Sequence, residues 1–183
     1  MLSLGLCVAG EFDGTKYERR NPDAETFYVE IKPTSDKFEE KALAVNGLDR
    51  TSLERNGSDP KVAMDEVSRW IRRVSEGFRP VLVAYPVAFD WSFINWYFVT
   101  FASDDSPFGY ASCLDIRSLY MAKANTLFER SGKRDMPNSL QTKRPHSHNA
   151  LDDSIEQAEL FSNIFEWSPA NELLTDSSAL THP

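Results

Sequence analysis

Long apolar runs are missing from this 183-residue sequence. No stretch approaches the roughly 20 residues that span a bilayer, so no membrane partner is expected. The N-terminal MLSLGLCVAGEFDG has no basic residues ahead of its apolar part, so it does not read as a signal peptide. Cysteine is scarce. Cys7 and Cys113 both sit in apolar segments, which suits buried reduced thiols in a cytoplasmic protein and not a disulfide framework. Positive charge is also short: 20 Lys and Arg against 28 Asp and Glu give a formal charge of −8. That balance argues against nucleic-acid binding by bulk electrostatics. It does not argue against a site that holds phosphates through metal ions, because such a site is itself rich in carboxylates. There is no P-loop, no G-x-G-x-x-G and no internal repeat.

The pattern that remains is that of one α/β domain over residues 1–167, followed by a polar, aperiodic tail over 168–183. Leu2 to Ala9 is a short apolar run, expected as a buried strand. Thr26 to Lys32 alternates apolar and polar side chains, the period of a strand with one buried face. These two strands are expected to pair as a hairpin, with Glu11 to Glu25 as a loop. A short helical turn is expected within Lys41 to Leu53. Asp59-Pro60 starts a helix, with the carboxylate as N-cap and proline at the first helical position. Ala63, Val67, Trp70, Ile71 and Val74 form its stripe and Gly77 stops it. Val81 to Tyr85 reads as a strand buried on both faces, and Trp91 to Phe101 as an apolar helix whose Trp91, Trp96, Tyr97 and Phe98 belong to the core. Ala111 to Ile116 is a last strand, leading to a helix over Arg117 to Ala124. Leu151, Ile155, Ala158, Phe161 and Phe165 mark a final helix.

Three residues attract attention. Asp90 follows a buried strand at the head of a helix, where open α/β sheets place their sites. On position alone, capping of the helix from Trp91 is the favoured account of it. Asp153, beside Asp152, falls in the first turn of the final helix, where a carboxylate is favourable for dipole reasons alone. His148 precedes Asp153 by five residues, about 500° of helical rotation, which leaves the two side chains roughly 140° apart on a regular helix. They share a site only if His148 lies before the helix, with Asn149 or a neighbour starting it. A loop histidine can then act as a base near neutral pH, and the carboxylate can hold magnesium.

HNALDD (His148 to Asp153), followed by SIEQAELF, resembles the third motif, H-x-x-x-x-D, of the DEDDh 3′–5′ exonucleases, which include polymerase proofreading subunits. VAYPVAFDWSFINWYF resembles their second motif, with Asp90 in the aspartate slot. FYVEIKP, ALAVNGL and CLDIRSLYM extend the likeness over roughly residues 1–165, in the family's order. The resemblance implies a ribonuclease-H-like mixed sheet flanked by helices. It also implies phosphodiester hydrolysis at a single-stranded DNA or RNA 3′ end by two divalent cations, Mg²⁺ or Mn²⁺, about 4 Å apart. Asp90 and Asp153 would be metal ligands and His148 the general base.

Two departures limit that expectation. The family's first motif, D-x-E on a central first strand, is missing from the start of this chain, which begins on what looks like the family's second strand. The expectation is therefore a fold lacking its first strand, a natural start upstream of Met1, at most one weakly held cation, and weak or no activity. Glu11 and Asp13 are poor substitutes, because their spacing is E-x-D and they are expected in an exit loop. Pro86 stands where the family has asparagine, and proline brings neither amide side chain nor backbone N–H. The exposed strand edges would make a homodimer plausible. The basic residues between the last strand and His148, Arg130, Lys133, Arg134, Lys143 and Arg144, either guide a phosphate backbone or form a solvated loop; Arg134, Lys143 and Arg144 are the candidate substrate contacts. The alternative to an enzyme is a degenerate module that keeps the fold and binds nucleic acid or protein without cutting.

Overall fold

The computed structural model describes residues 1–145 and 147–169. The expected tail therefore falls outside the described residues from 170 onward. Two strands predicted to form a hairpin do pair: β1 (Ser3–Cys7) runs antiparallel to β4 (Thr26–Glu30), with Leu4 opposite Val29 and Leu6 opposite Phe27. The segment between them is not a plain loop. It carries a short hairpin of β2 (Gly10–Phe12) and β3 (Tyr17–Arg19). Asp13 builds the turn, its carboxylate accepting from the Thr15 and Lys16 backbone N–H groups at 2.8 Å each. Tyr17 pins the hairpin to the body, its hydroxyl 2.9 Å from Ala9 O and 2.7 Å from Ser162 Oγ.

Two short helices follow, α1 (Glu40–Asn46) and α2 (Arg50–Asn56), where one turn was expected. Helix α3 (Pro60–Val74) starts as the sequence dictates: Asp59 accepts from Lys61 and Val62 N–H, and Pro60 occupies the first turn. Its stripe buries Ala63, Met64, Val67 and Ile71. Strand β5 (Leu82–Ala84) pairs in parallel with β6 (Cys113–Asp115). Helix α4 (Val87–Phe101) lies between them in sequence and α5 (Ile116–Ala124) after them. Two 3₁₀ turns, Phe128–Arg130 and Lys133–Asp135, order part of the basic segment, which also buries Met136 and Leu140. The chain ends its described part in α6 (Ala150–Glu166).

The strands separate two cores. One joins Leu4, Ile31 and Leu82 to α3 and α4, burying Tyr97 and Phe98 as the sequence suggests, although Trp96 stays half exposed. The other joins Ile116 and Tyr120 of α5 to Leu160, Phe161 and Ile164 of α6. Val81, just before β5, is 48% exposed, so the run expected as a buried strand from Val81 to Tyr85 is buried only over its middle. Among the described residues, β1 and β5 do not pair with each other. In β1, Leu2 O accepts from Ile31 N and Val8 N donates to Glu25 O. The even-numbered residues therefore bond β4, and the backbone groups of Ser3, Gly5 and Cys7 face the other way. In β5, Leu82 N donates to Ser112 O, so Val81 and Val83 turn their backbone groups away from β6. A cleft of about 970 Å³ runs between these two edges.

Helix α6 roofs that cleft and sits hard against β1. A Cβ added at Gly5 would come within 2.3 Å of the Ala150 carbonyl and Leu151 N, so only glycine admits the helix start at this distance. Both cysteines are free. The Cys7 thiol donates to Ser154 O at 3.4 Å, and burial pushes it up to about 11, leaving it inert. No helix among the described residues is long and apolar enough to cross a membrane.

Candidate active site

Helix α6 begins at Ala150, and Asn149 is its N-cap, accepting from Leu151 N at 2.9 Å and Asp152 N at 3.3 Å. His148 is thus outside the helix, as sharing a site with Asp153 requires. Its φ is +59°, a left-handed conformation uncommon for a side-chain-bearing residue. His148, Asp153 and Asp90 all line the same cleft. Ser147 steadies the loop, donating to Asp152 Oδ2 at 2.7 Å and accepting from Asn149 N at 3.2 Å.

Asp90 is not the cap of its helix. Helix α4 starts three residues earlier, at Val87, and Pro86 in the cap position has no side-chain acceptor. The Val87 N–H goes instead to Asp115 Oδ1 at 2.9 Å. Capping is therefore met from β6, and Asp90 is left on the first turn facing the cleft. Burial raises its carboxyl to about 6; a hydrogen bond from its own backbone N–H opposes the shift, and the negative charge of Asp153 adds to it. Asp153 has Oδ1 shielded from solvent. The charge of Asp153 adds to the cost of ionising Asp90, a cost that a bound cation would relieve.

Among the described residues there is no cluster of three or more His, Cys, Asp or Glu side chains able to hold a metal ion. Two carboxylates fit one divalent cation whose other oxygens come from water or phosphate, and do not fit two ions in fixed geometry. Glu11 is ion-paired with Arg20, and Asp13 is spent on its own turn. The sequence does contain one D-x-E, Asp23-Ala24-Glu25, which sequence reading passed over. It stands at the entrance to β4, where Asp23 takes a two-pronged bond from Arg144 and Glu25 pairs with Arg73 at 3.2 Å.

The basic segment divides. Arg144 binds Glu159 at 2.6 Å as well as Asp23, so it staples the loop before His148 to α6 and to the approach to β4. Lys133 binds Glu156 at 2.8 Å. Arg134 is exposed, and Lys143 lines a second, polar pocket with Arg19, Arg20 and Asn163.

Comparison with known proteins identifies the family. The RNase T family model, described as exonuclease, matches residues 14–161. The chain is 34% identical over 174 residues to the 3′–5′ DNA exonuclease Cap18 of Escherichia coli, covering 94% of this chain and 86% of that protein. It is 29% identical over 141 residues to ribonuclease T of Shewanella frigidimarina, covering 74% of this chain and 62% of the relative. Ribonuclease T of Shewanella denitrificans is 28% identical over 144 residues, with 76% and 62% covered.

Proposed function

The chain belongs to the DEDDh 3′–5′ exonuclease family, with its ribonuclease-H-like α/β fold, and on that premise we propose that it serves hydrolysis of the 3′-terminal phosphodiester of single-stranded DNA or RNA. The observation that carries this is the convergence of His148, Asp153 and Asp90 on one cleft. His148 takes the proton of the attacking water, and its loop position lets it approach from outside the helix. Asp90 and Asp153 would hold a divalent cation, which would supply positive charge against the phosphate. Arg134, Lys143 and Arg144 contact the phosphate backbone. Arg144 is the weakest of the three, because two carboxylates already occupy its guanidinium.

The same reading assigns the cleft between β1 and β5 to a further strand. Backbone groups of Ser3, Gly5 and Cys7 face it from one side and those of Val81 and Val83 from the other. A strand of about five residues, some 17 Å long, matches β1. A D-x-E on such a strand, beside Asp90 and Asp153, would complete a four-carboxylate site for two ions. Residues 1–183 alone are then weakly active or inactive.

The test is digestion of a 3′-labelled single strand with Mn²⁺, using the chain by itself and together with a segment carrying a D-x-E strand. Digestion that needs the added segment and disappears in Asp153→Ala supports the proposal. Binding of the strand without digestion under either condition would instead support a degenerate binding module, for which the two missing carboxylates speak.

A further inference from the structure

Asp90 and Asp153 stand on different elements, α4 and α6, so their spacing depends on what ties those elements together. The turn from β5 into α4 cannot hold itself. Pro86 offers no N–H, and α4 has no side-chain cap of its own. Both remaining N–H groups are bound by side chains from elsewhere. Val87 N donates to Asp115 Oδ1, and that carboxylate also accepts from Ser118 N at 2.8 Å, capping α5. Tyr85 N donates to Gln157 Oε1 at 2.8 Å. The second bond crosses from one half of the fold to the other. Tyr85 lies just past the last paired residue of β5, Ala84, and Gln157 is four residues beyond Asp153 on α6. Four residues bring a helix round by one turn and advance it about 6 Å. Gln157 and Asp153 therefore share one face of α6, and both line the cleft with Asp90.

We propose that Gln157 is a positioning residue for the carboxylate pair: its amide oxygen fastens the β5–α4 turn, which carries Asp90, to the helix that carries Asp153. Glutamine suits the task. A backbone N–H only donates, so the amide must present oxygen, and it does so without a third negative charge beside two carboxylates. It also reaches far enough to take over, at one point, the acceptor role a neighbouring strand would play at the free edge of β5. This inference rests on Asp90 and Asp153 acting together on a cation, but the bond itself can be tested without metal.

The experiment compares the full chain with Gln157→Leu, which keeps the bulk and removes the acceptor, and Gln157→Glu, which keeps the acceptor. Amide hydrogen exchange of metal-free protein is followed residue by residue, and Mn²⁺ binding by electron paramagnetic resonance with the metal alone. In Gln157→Leu, exchange at Tyr85 and through the first turn of α4 rises about tenfold, the amount expected for one lost hydrogen bond. Exchange at Val67 and Ile71 in the core stays as in the parent, and Mn²⁺ affinity falls about tenfold. Gln157→Glu keeps the protection at Tyr85. Unchanged exchange at Tyr85 in Gln157→Leu overturns the inference whatever the metal does, as does lost protection with Mn²⁺ affinity intact. Absence of Mn²⁺ binding by the parent chain counts against the metal site instead, and the exchange data still decide whether Gln157 holds the turn.

Discussion

Asp90→Asn should make the metal-free protein more stable at pH 8, although it removes a residue the proposed reaction needs. Burial pushes the carboxyl up to about 6 in the fold, well above its ordinary 3.8, and the charge of Asp153 adds to the rise. A folded-state pKa raised above the unfolded one means that, between about pH 4 and 6, the native protein keeps a proton the unfolded chain has released. Stability from this group is thus full below the unfolded pKa and is lost as pH rises through the folded pKa. That rise corresponds to roughly 3 kcal/mol, and the partial exposure of the carboxyl reduces this to about 1–2 kcal/mol. Asparagine fills the same space and carries no charge. By thermal unfolding in a chelator, the variant should melt about 3–6 °C above the parent at pH 8, and the gap should narrow as pH falls through about 6 and close only below about pH 4. Mn²⁺ at pH 8 should raise the melting temperature of the parent and leave Asp90→Asn unmoved. A variant that melts at or below the parent at pH 8 would refute the placement of Asp90 in a desolvated, anionic cleft.

Gly5→Ala should cost about 1–3 kcal/mol in urea unfolding, because the new methyl group meets backbone atoms of Ala150 and Leu151 that cannot rotate aside. Asn149→Ala should cost about 1 kcal/mol through loss of the α6 cap, and should broaden the NMR signals of the His148 ring as its loop loosens. Glu156→Ala should cost more than an ordinary surface pair, about 2–3 kcal/mol by urea unfolding, because Glu156 is buried and its partner Lys133 loses its carboxylate. The Cys7 thiol should resist alkylation at pH 8 until the protein is unfolded, measured by mass after iodoacetamide treatment.

The readable parts of this fold were those in which one local rule decides. Asp59-Pro60 fixes the start of α3 by itself, since a carboxylate and a proline in that order satisfy the first turn whatever packs on it. Asn149 fixes the start of α6 in the same way, and with it the side of the helix boundary on which His148 falls. The start of α4 was not readable. Proline at 86 removes the local signal, and the cap is supplied by Asp115, 28 residues later. Helix α4 also carries apolar side chains nearly all round, so periodicity offered no help in placing its first turn. The hairpin of β2 and β3 was missed because three-residue strands have too few alternations to register, and tertiary bonds from Tyr17 hold it. For the proposed site, His148 and Asp153 stand out in the sequence only through their resemblance to the H-x-x-x-x-D motif, since spacing alone leaves them on different faces of a regular helix. Gln157 does not stand out, since a glutamine on a polar helix face has no pattern, and its role appears only when Tyr85 is seen to need an acceptor.

One consequence concerns how the molecule keeps its shape. In a continuous sheet, hydrogen bonds fix the distance between neighbouring strands, but among the described residues β1 and β5 share none. Helix α6 does that work from above. Its first residues rest on Gly5 at a distance no side chain permits, and two turns later Gln157 holds the end of β5. Between these two anchors lies Asp153. Lengthening either anchor would therefore be felt at the carboxylates before it was felt in the two cores, which lie on opposite sides of the strands and are each filled by their own helices. Gly5→Ala and Gln157→Leu act on opposite ends of the same strut. Their effects on the spacing of Asp90 and Asp153 should be coupled, and a double-mutant cycle on Mn²⁺ affinity should depart from additivity, whereas independent contributions would add.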